Sequence, residues 1–205
     1  MIAAYHHAPE VVIKVESRGS ATLEAIRVHV ETMSTGAHRT LGDDQGEPIV
    51  GKPGAVRLIE DWDLDLEVLL GRRLYFDRAR PKPLKLVHKL IFSMPAGTPA
   101  DKLLVAVRDF VQDEFARHRY ALGLHTDEMH PHVHVIVKAV SEQGVRLNIR
   151  KATLRGWREA FAGHLRTQGI QANATQRAVR NRRPFIRGPV SPRPSPSQSR
   201  IKERV

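Results

Sequence analysis

Four of the chain's eleven histidines fall within ten residues, in the segment 125–134. The segment ends in His132-Val-His134, which opens an apolar run typical of a buried β-strand. Side chains of a strand alternate between the two faces of its sheet, so His132 and His134 project side by side. His125 ends another apolar segment, and a short loop containing a proline would bring the two strands together. The pattern therefore predicts three imidazoles clustered on one face of a sheet.

Three neutral imidazoles on a rigid sheet, with one side open, suit a divalent metal ion that keeps a free position for substrate. The chain has no cysteine, which excludes disulfides and thiolate ligands and fits a reducing cytoplasm. A metal barrel of the cupin type also uses a His-x-His pair, usually with a carboxylate a few residues later. Lys138 occupies that neighbourhood here and the next acid is Glu142, which disfavours a cupin. His130 is interpreted as a loop residue.

The charge of the chain points to a polyanionic partner, because 33 Lys and Arg outweigh 22 Asp and Glu for a net charge of +11. Nine Arg or Lys and one acid lie in residues 176–205, which are also rich in Pro and Ser. We therefore predict a folded domain over residues 1–175 and a basic, disordered tail over 176–205. The tail residues predicted to contact the polyanion are Arg177, Arg180, Arg182 and Arg183. A signal read by a secretion or coupling protein is the alternative use of such a tail.

No apolar run approaches the length of a membrane span, and the N-terminus lacks the pattern of a signal peptide, so we predict a cytoplasmic location and no membrane partner. Apolar periodicity predicts elements in the order β-α-β-α-β-β-α. The first helix begins at the capping residue Thr22 and ends at Gly36. This order predicts an α+β fold in which an antiparallel sheet carries helices on one face, as a two-layer sandwich.

Together these segments resemble the MobA/VirD-type relaxases of the HUH superfamily, and in particular the T-DNA border endonuclease. The resemblance covers roughly residues 10–177. It rests on the histidine segment, on the strand and turn over residues 88–98, and on residues 169–177 after the last helix. The histidine segment is highly specific for the family, and the other two are supportive.

The resemblance implies a metal-dependent nuclease that nicks single-stranded DNA at the origin of transfer of a conjugative or mobilizable element. It implies one divalent ion, magnesium or manganese, bound by His125, His132 and His134. It also implies that Asp127 orients the histidines and that Ser93 contacts the DNA backbone. A solvated loop acid and a strand end are the alternative readings of these two residues. Accessory relaxosome proteins and a type IV coupling protein are the protein partners that such an enzyme implies.

The chain departs from the family at the nucleophile, which is a tyrosine on the first helix. Alignment of this motif places Thr32 where the tyrosine belongs, and a threonine hydroxyl is shorter by a phenyl ring. His29, one turn earlier on the helix, and Tyr5 are two further candidates. The alternative reading is therefore a degenerate relaxase that binds origin DNA without cleaving it. A histidine-metal enzyme acting on small molecules is a third reading, which the basic tail weakens.

Overall fold

Five antiparallel strands form the sheet that carries the histidine segment. A computed structural model describes residues 8–16, 20–36, 39–75 and 84–175. The order of the strands across the sheet is β1-β3-β5-β4-β2, and all four pairings are antiparallel. The strands are β1 (Val12–Glu16), β2 (Gly42–Asp43), β3 (Val87–Ser93), β4 (Tyr120–His125) and β5 (His132–Lys138).

Five helices connect and cover these strands, and none of the described helices is long and apolar enough to cross a membrane. The first helix begins as predicted, because the Thr22 hydroxyl accepts a hydrogen bond from the backbone N–H of Ala25 at 3.3 Å. The helices are α1 (Leu23–Ser34), α2 (Gly51–Asp61), α3 (Leu64–Tyr75), α4 (Ala100–Glu114) and α5 (Lys151–Thr167).

The predicted α+β class with an antiparallel sheet is confirmed, and the fold has one layer more than the predicted two. Alternate residues of β5 belong to different apolar clusters: Val135 packs with α4 and α5, whereas Ile136 packs with α1 and α2. Helices therefore cover both faces of the sheet. The second helical layer comes largely from residues 51–75, which the sequence placed only as a partly helical excursion.

A cluster of aromatic rings stiffens the sheet on the α4–α5 side. The ring of Phe92 on β3 lies 5.0 Å from that of Phe161, and Phe115 lies 5.2 Å from Trp157, both as edge-to-face pairs. The indole Nε1 of Trp157 donates to the Glu114 carboxylate at 2.5 Å, which satisfies the buried indole N–H. The opposite face, where the histidines lie, therefore rests on a rigid support.

Gly123 in β4 is required by the close approach of the chain segment that precedes β2. A Cβ atom at position 123 would lie 2.4 Å from the carbonyl oxygen of Thr40, which is backbone and cannot rotate away. We expect Gly123→Ala to lower the free energy of unfolding by about 1–3 kcal/mol through overpacking. Urea denaturation would measure the change.

Gly156 in α5 is the matched control, because a Cβ there meets nothing within 4 Å. Gly156→Ala should stabilise the protein by up to about 1 kcal/mol through helix propensity. Equal free energies of unfolding for the Gly123→Ala protein and the wild type would contradict this prediction, because they would show that the backbone around Thr40 can move away without loss of stability.

Candidate metal centre

The pairing register of β4 and β5 brings the three predicted metal ligands together. His125 lies directly opposite His132, and His134 lies opposite Gly123 on the same face. The ring centroids are 5.3 Å apart for His125 and His132, 4.5 Å for His125 and His134, and 5.1 Å for His132 and His134. One ring nitrogen of each residue lies within 4.8 Å of the other two, a spacing that one shared ion would suit.

Two of the three rings already have one nitrogen committed to the backbone. Nε2 of His125 donates to the carbonyl oxygen of Met33 at 3.1 Å, and Nδ1 of His132 donates to that of His130 at 3.1 Å. Because a carbonyl only accepts, the proton must sit on those nitrogens, which leaves a lone pair on the opposite side of each ring. Metal-bound histidines are held in this way, so the residues fit a divalent ion.

Burial keeps His125 and His134 in the neutral form that binds metal. Burial, reinforced by the neighbouring His125 and His132, lowers the pKa of His134 to about 3. The pKa of His125 is also lowered, first by burial. Neutral imidazoles at pH 7 are ready to donate a lone pair without first releasing a proton.

Helix α1 presents His29, and not Thr32, to this cluster. The ring of His29 lies 6.2 Å from that of His134, and its Nε2 atom is buried without a hydrogen-bond partner. Burial, with a smaller contribution from Lys89, lowers the pKa of His29 to about 4. Thr32 is exposed, and its hydroxyl donates to the carbonyl oxygen of Val28 at 2.7 Å. The third candidate, Tyr5, lies outside the described residues.

Asp127 lies in the loop after β4 and is bound by Arg39. The guanidinium donates to one carboxylate oxygen of Asp127 at 2.6 and 3.1 Å, and its third nitrogen donates to the carbonyl oxygen of Thr32 at 3.0 Å. This contact holds the pKa of Asp127 below its usual value. Arg39 therefore ties the loop that precedes His132 to the C-terminal end of α1.

Ser93 ends β3 directly opposite His132, on the histidine face of the sheet. Ser93 itself is half-buried. Arg177, Arg180, Arg182 and Arg183 lie outside the described residues.

Three residues near the cluster were missed by the sequence reasoning: Glu16, Arg39 and Lys89. A carboxylate oxygen of Glu16 lies within 4.8 Å of a ring nitrogen of both His29 and His134, and Lys89 forms an ion pair with Glu16 at 3.7 Å. Alternation along β1 and β3 would have put Glu16 and Lys89 on the histidine face once the strand register was known. Arg39 gave no local signal, because its partner Asp127 is 88 positions away in the chain.

One family model matches part of the chain. Residues 72–170 match the family model described as "Relaxase: MobA/VirD2-like, nuclease domain". No curated protein matches the chain significantly. A solved structure, from work on the molecular basis of vancomycin resistance transfer in Staphylococcus aureus, is 14% identical with a TM-score of 0.48, covering 82% of this chain and 99% of that chain. Such a likeness says nothing about function.

The family match includes both histidine strands and helices α4 and α5. The resemblance read from the histidine segment is thereby confirmed: residues 72–170 match the nuclease domain of MobA/VirD2-like relaxases.

Proposed function

We propose that this protein is a relaxase that nicks single-stranded DNA at the origin of transfer of a conjugative or mobilizable element, with a divalent ion held by His125, His132 and His134. The convergence of these three imidazoles within 4.8 Å on one sheet face is the observation that supports the proposal most directly. Magnesium or manganese is the ion we expect. When bound, such an ion polarises the scissile phosphate and neutralises the charge that builds on its oxygens.

We assign the nucleophile to His29, because its neutral ring lies beside His134 while the Thr32 hydroxyl is bound to the backbone of its own helix. A ring nitrogen of His29 attacks phosphorus, and the bond from phosphorus to the 3′ oxygen breaks. The 3′ oxygen leaves with the electron pair and takes a proton from water. The 5′ phosphate stays on His29 as a phosphoramidate, which preserves the bond energy for resealing.

Two neighbours would support this step. Ser93, opposite His132, is placed to donate its hydroxyl to a DNA phosphate oxygen. Asp127 acts through Arg39, because their ion pair fixes the loop before His132 relative to helix α1, which carries His29. A nucleophile must be held in line with the reacting phosphorus, and a misplacement of about 1 Å can cost about a hundredfold in rate.

The second candidate function is a relaxase that binds origin DNA without cleaving it. The observation in its favour is that Thr32, at the position of the family's tyrosine, is exposed and bound to the carbonyl of Val28. In either function the expected partners are single-stranded DNA, accessory relaxosome proteins and a type IV coupling protein. The basic residues of 176–205, Arg177 among them, would add affinity for DNA that does not depend on its sequence.

Metal binding can be tested without DNA. Manganese should raise the melting temperature of the metal-free wild type, because an ion that binds only the folded state stabilises it. His132→Ala and His134→Ala should each abolish the rise, whereas His130→Ala, which removes an exposed loop histidine, should keep it. An unchanged rise in the two cluster variants would place the ion elsewhere.

Cleavage is then tested with a labelled single-stranded origin oligonucleotide in the presence of manganese or a chelator. We expect a nicked product only with manganese, and none from His134→Ala. A metal-dependent rise in melting temperature without any nicked product would favour the non-cleaving function.

A further inference from the structure

A second set of potential ligands lies beside the histidine cluster, shares His134 with it and includes the proposed nucleophile His29. Glu16 at the end of β1, His29 on α1 and His134 on β5 each bring one ligand atom within 4.8 Å of the other two. A neutral imidazole has one lone pair, so His134 can bind ions of both sets at once only as a bridging imidazolate, which releases its ring proton to water when the second ion binds. Two nitrogens and one carboxylate oxygen suit a borderline divalent ion such as zinc or cobalt.

An unsatisfied polar atom lies in the same place. Nε2 of His29 is buried and has no hydrogen-bond partner, although leaving such an atom unpaired costs about 1–3 kcal/mol. The atom comes from the helix layer, whereas Glu16 and His134 come from the sheet, so the ligand set spans the interface between the two layers.

Lys89 makes this set a weaker cation site than the three-histidine cluster. Its side chain is only 9% exposed, and its ammonium lies 3.7 Å from the Glu16 carboxylate. A divalent ion bound to Glu16 would have to compete with this buried positive charge for the carboxylate.

We propose that Glu16, His29 and His134 form a second, weaker divalent-cation site, and that its occupation inhibits nicking by taking the lone pair of His29. The site itself does not depend on the nicking activity, whereas the inhibition rests on the proposed function. Excess metal would then slow the reaction that a lower concentration supports.

Calorimetric titration of the metal-free full-length chain with zinc tests the site without DNA. We expect a tight and a weak binding phase in the wild type. Glu16→Gln should lose only the weak phase, by on the order of tenfold or more in affinity. His132→Ala should lose only the tight phase, and His134→Ala should lose both.

Two further variants make the pattern decisive. Glu31→Gln removes a carboxylate on helix α1 that pairs with Arg27 and does not belong to the proposed site. This variant should keep both binding phases. Lys89→Met should strengthen the weak phase, which loss of folding cannot mimic. A single phase in the wild type, or a weak phase that survives Glu16→Gln, overturns the proposal.

The inhibition is measured as the ratio of nicking at high zinc to nicking at low zinc, with manganese constant. The ratio should fall well below one in the wild type and rise toward one in Glu16→Gln. A ratio that stays near one in a wild type with two binding phases overturns the inhibitory role. If the wild type never nicks but the variants give the expected titrations, the cation site stands and the proposed nicking function fails.

Discussion

Replacing His29 with alanine should abolish the covalent DNA adduct, with a loss of about a thousandfold or more, as expected when an enzyme loses its nucleophile. Thr32→Ala should retain most of the adduct, because the Thr32 side chain is exposed and its hydroxyl is bound to Val28. The measurement is incubation of each variant with a labelled origin oligonucleotide and manganese, followed by a denaturing gel.

The chemistry of the adduct identifies the attacking atom independently of mutation. A phosphoramidate on histidine is labile to acid, whereas a phosphate ester on tyrosine survives the same treatment. We expect the wild-type adduct to be lost in acid. An acid-stable adduct that disappears in Tyr5→Phe would move the nucleophile to Tyr5. An adduct seen only with Thr32→Tyr would show that the wild type is a degenerate, non-cleaving relaxase.

Acid should destabilise the protein through His88, on the face of the sheet opposite the histidine cluster. Burial, followed by the charge of Lys85, lowers the pKa of His88 to about 4, from 6.5 in the unfolded chain. The folded state therefore resists protonation that the unfolded state accepts. The stability due to neutral His88 is fully present above pH 6.5 and is lost as the pH falls toward 4.

Each unit of pKa difference corresponds to about 1.4 kcal/mol, so this histidine alone should lower the free energy of unfolding by about 2–3 kcal/mol between pH 7 and pH 4.5. Urea denaturation of the metal-free protein at the two pH values measures the loss. His88→Leu should remove about that much of it, while His130→Ala serves as the control. A His88→Leu protein as sensitive to acid as the wild type would contradict the assignment.

Local patterns were sufficient to predict the parts of the site that lie on consecutive strands. The alternation in His132-Val-His134 and the short loop after His125 determine which faces the rings occupy, and the register then follows. The capped helix α1 was also predictable, because Thr22 and the spacing of Ile26, Val30 and Met33 are local signals.

The remaining features depend on contacts between distant residues. Residues three positions apart on a helix point in directions that differ by less than a third of a turn. The sequence alone therefore could not show whether His29 or Thr32 faces the histidine cluster, because this depends on how α1 packs on the sheet. The ion pair of Arg39 with Asp127 and that of Lys89 with Glu16 likewise require the register of strands and loops that are far apart in the chain.

The two outer strands of the sheet give it little tendency to recruit a strand from another molecule. Strand β2 has two residues. Just before β1, the N–H of Val11 donates to the carbonyl of Asn173, and the N–H of Asn173 donates to the carbonyl of Pro9. On β1 itself, the Arg158 guanidinium donates to the carbonyl of Ile13. Short, charged or covered edges hinder edge-to-edge association. Concentrated samples should therefore resist aggregation in which a strand of one molecule pairs with the sheet edge of another. Binding partners should contact the faces of the fold and should not add a strand to its sheet.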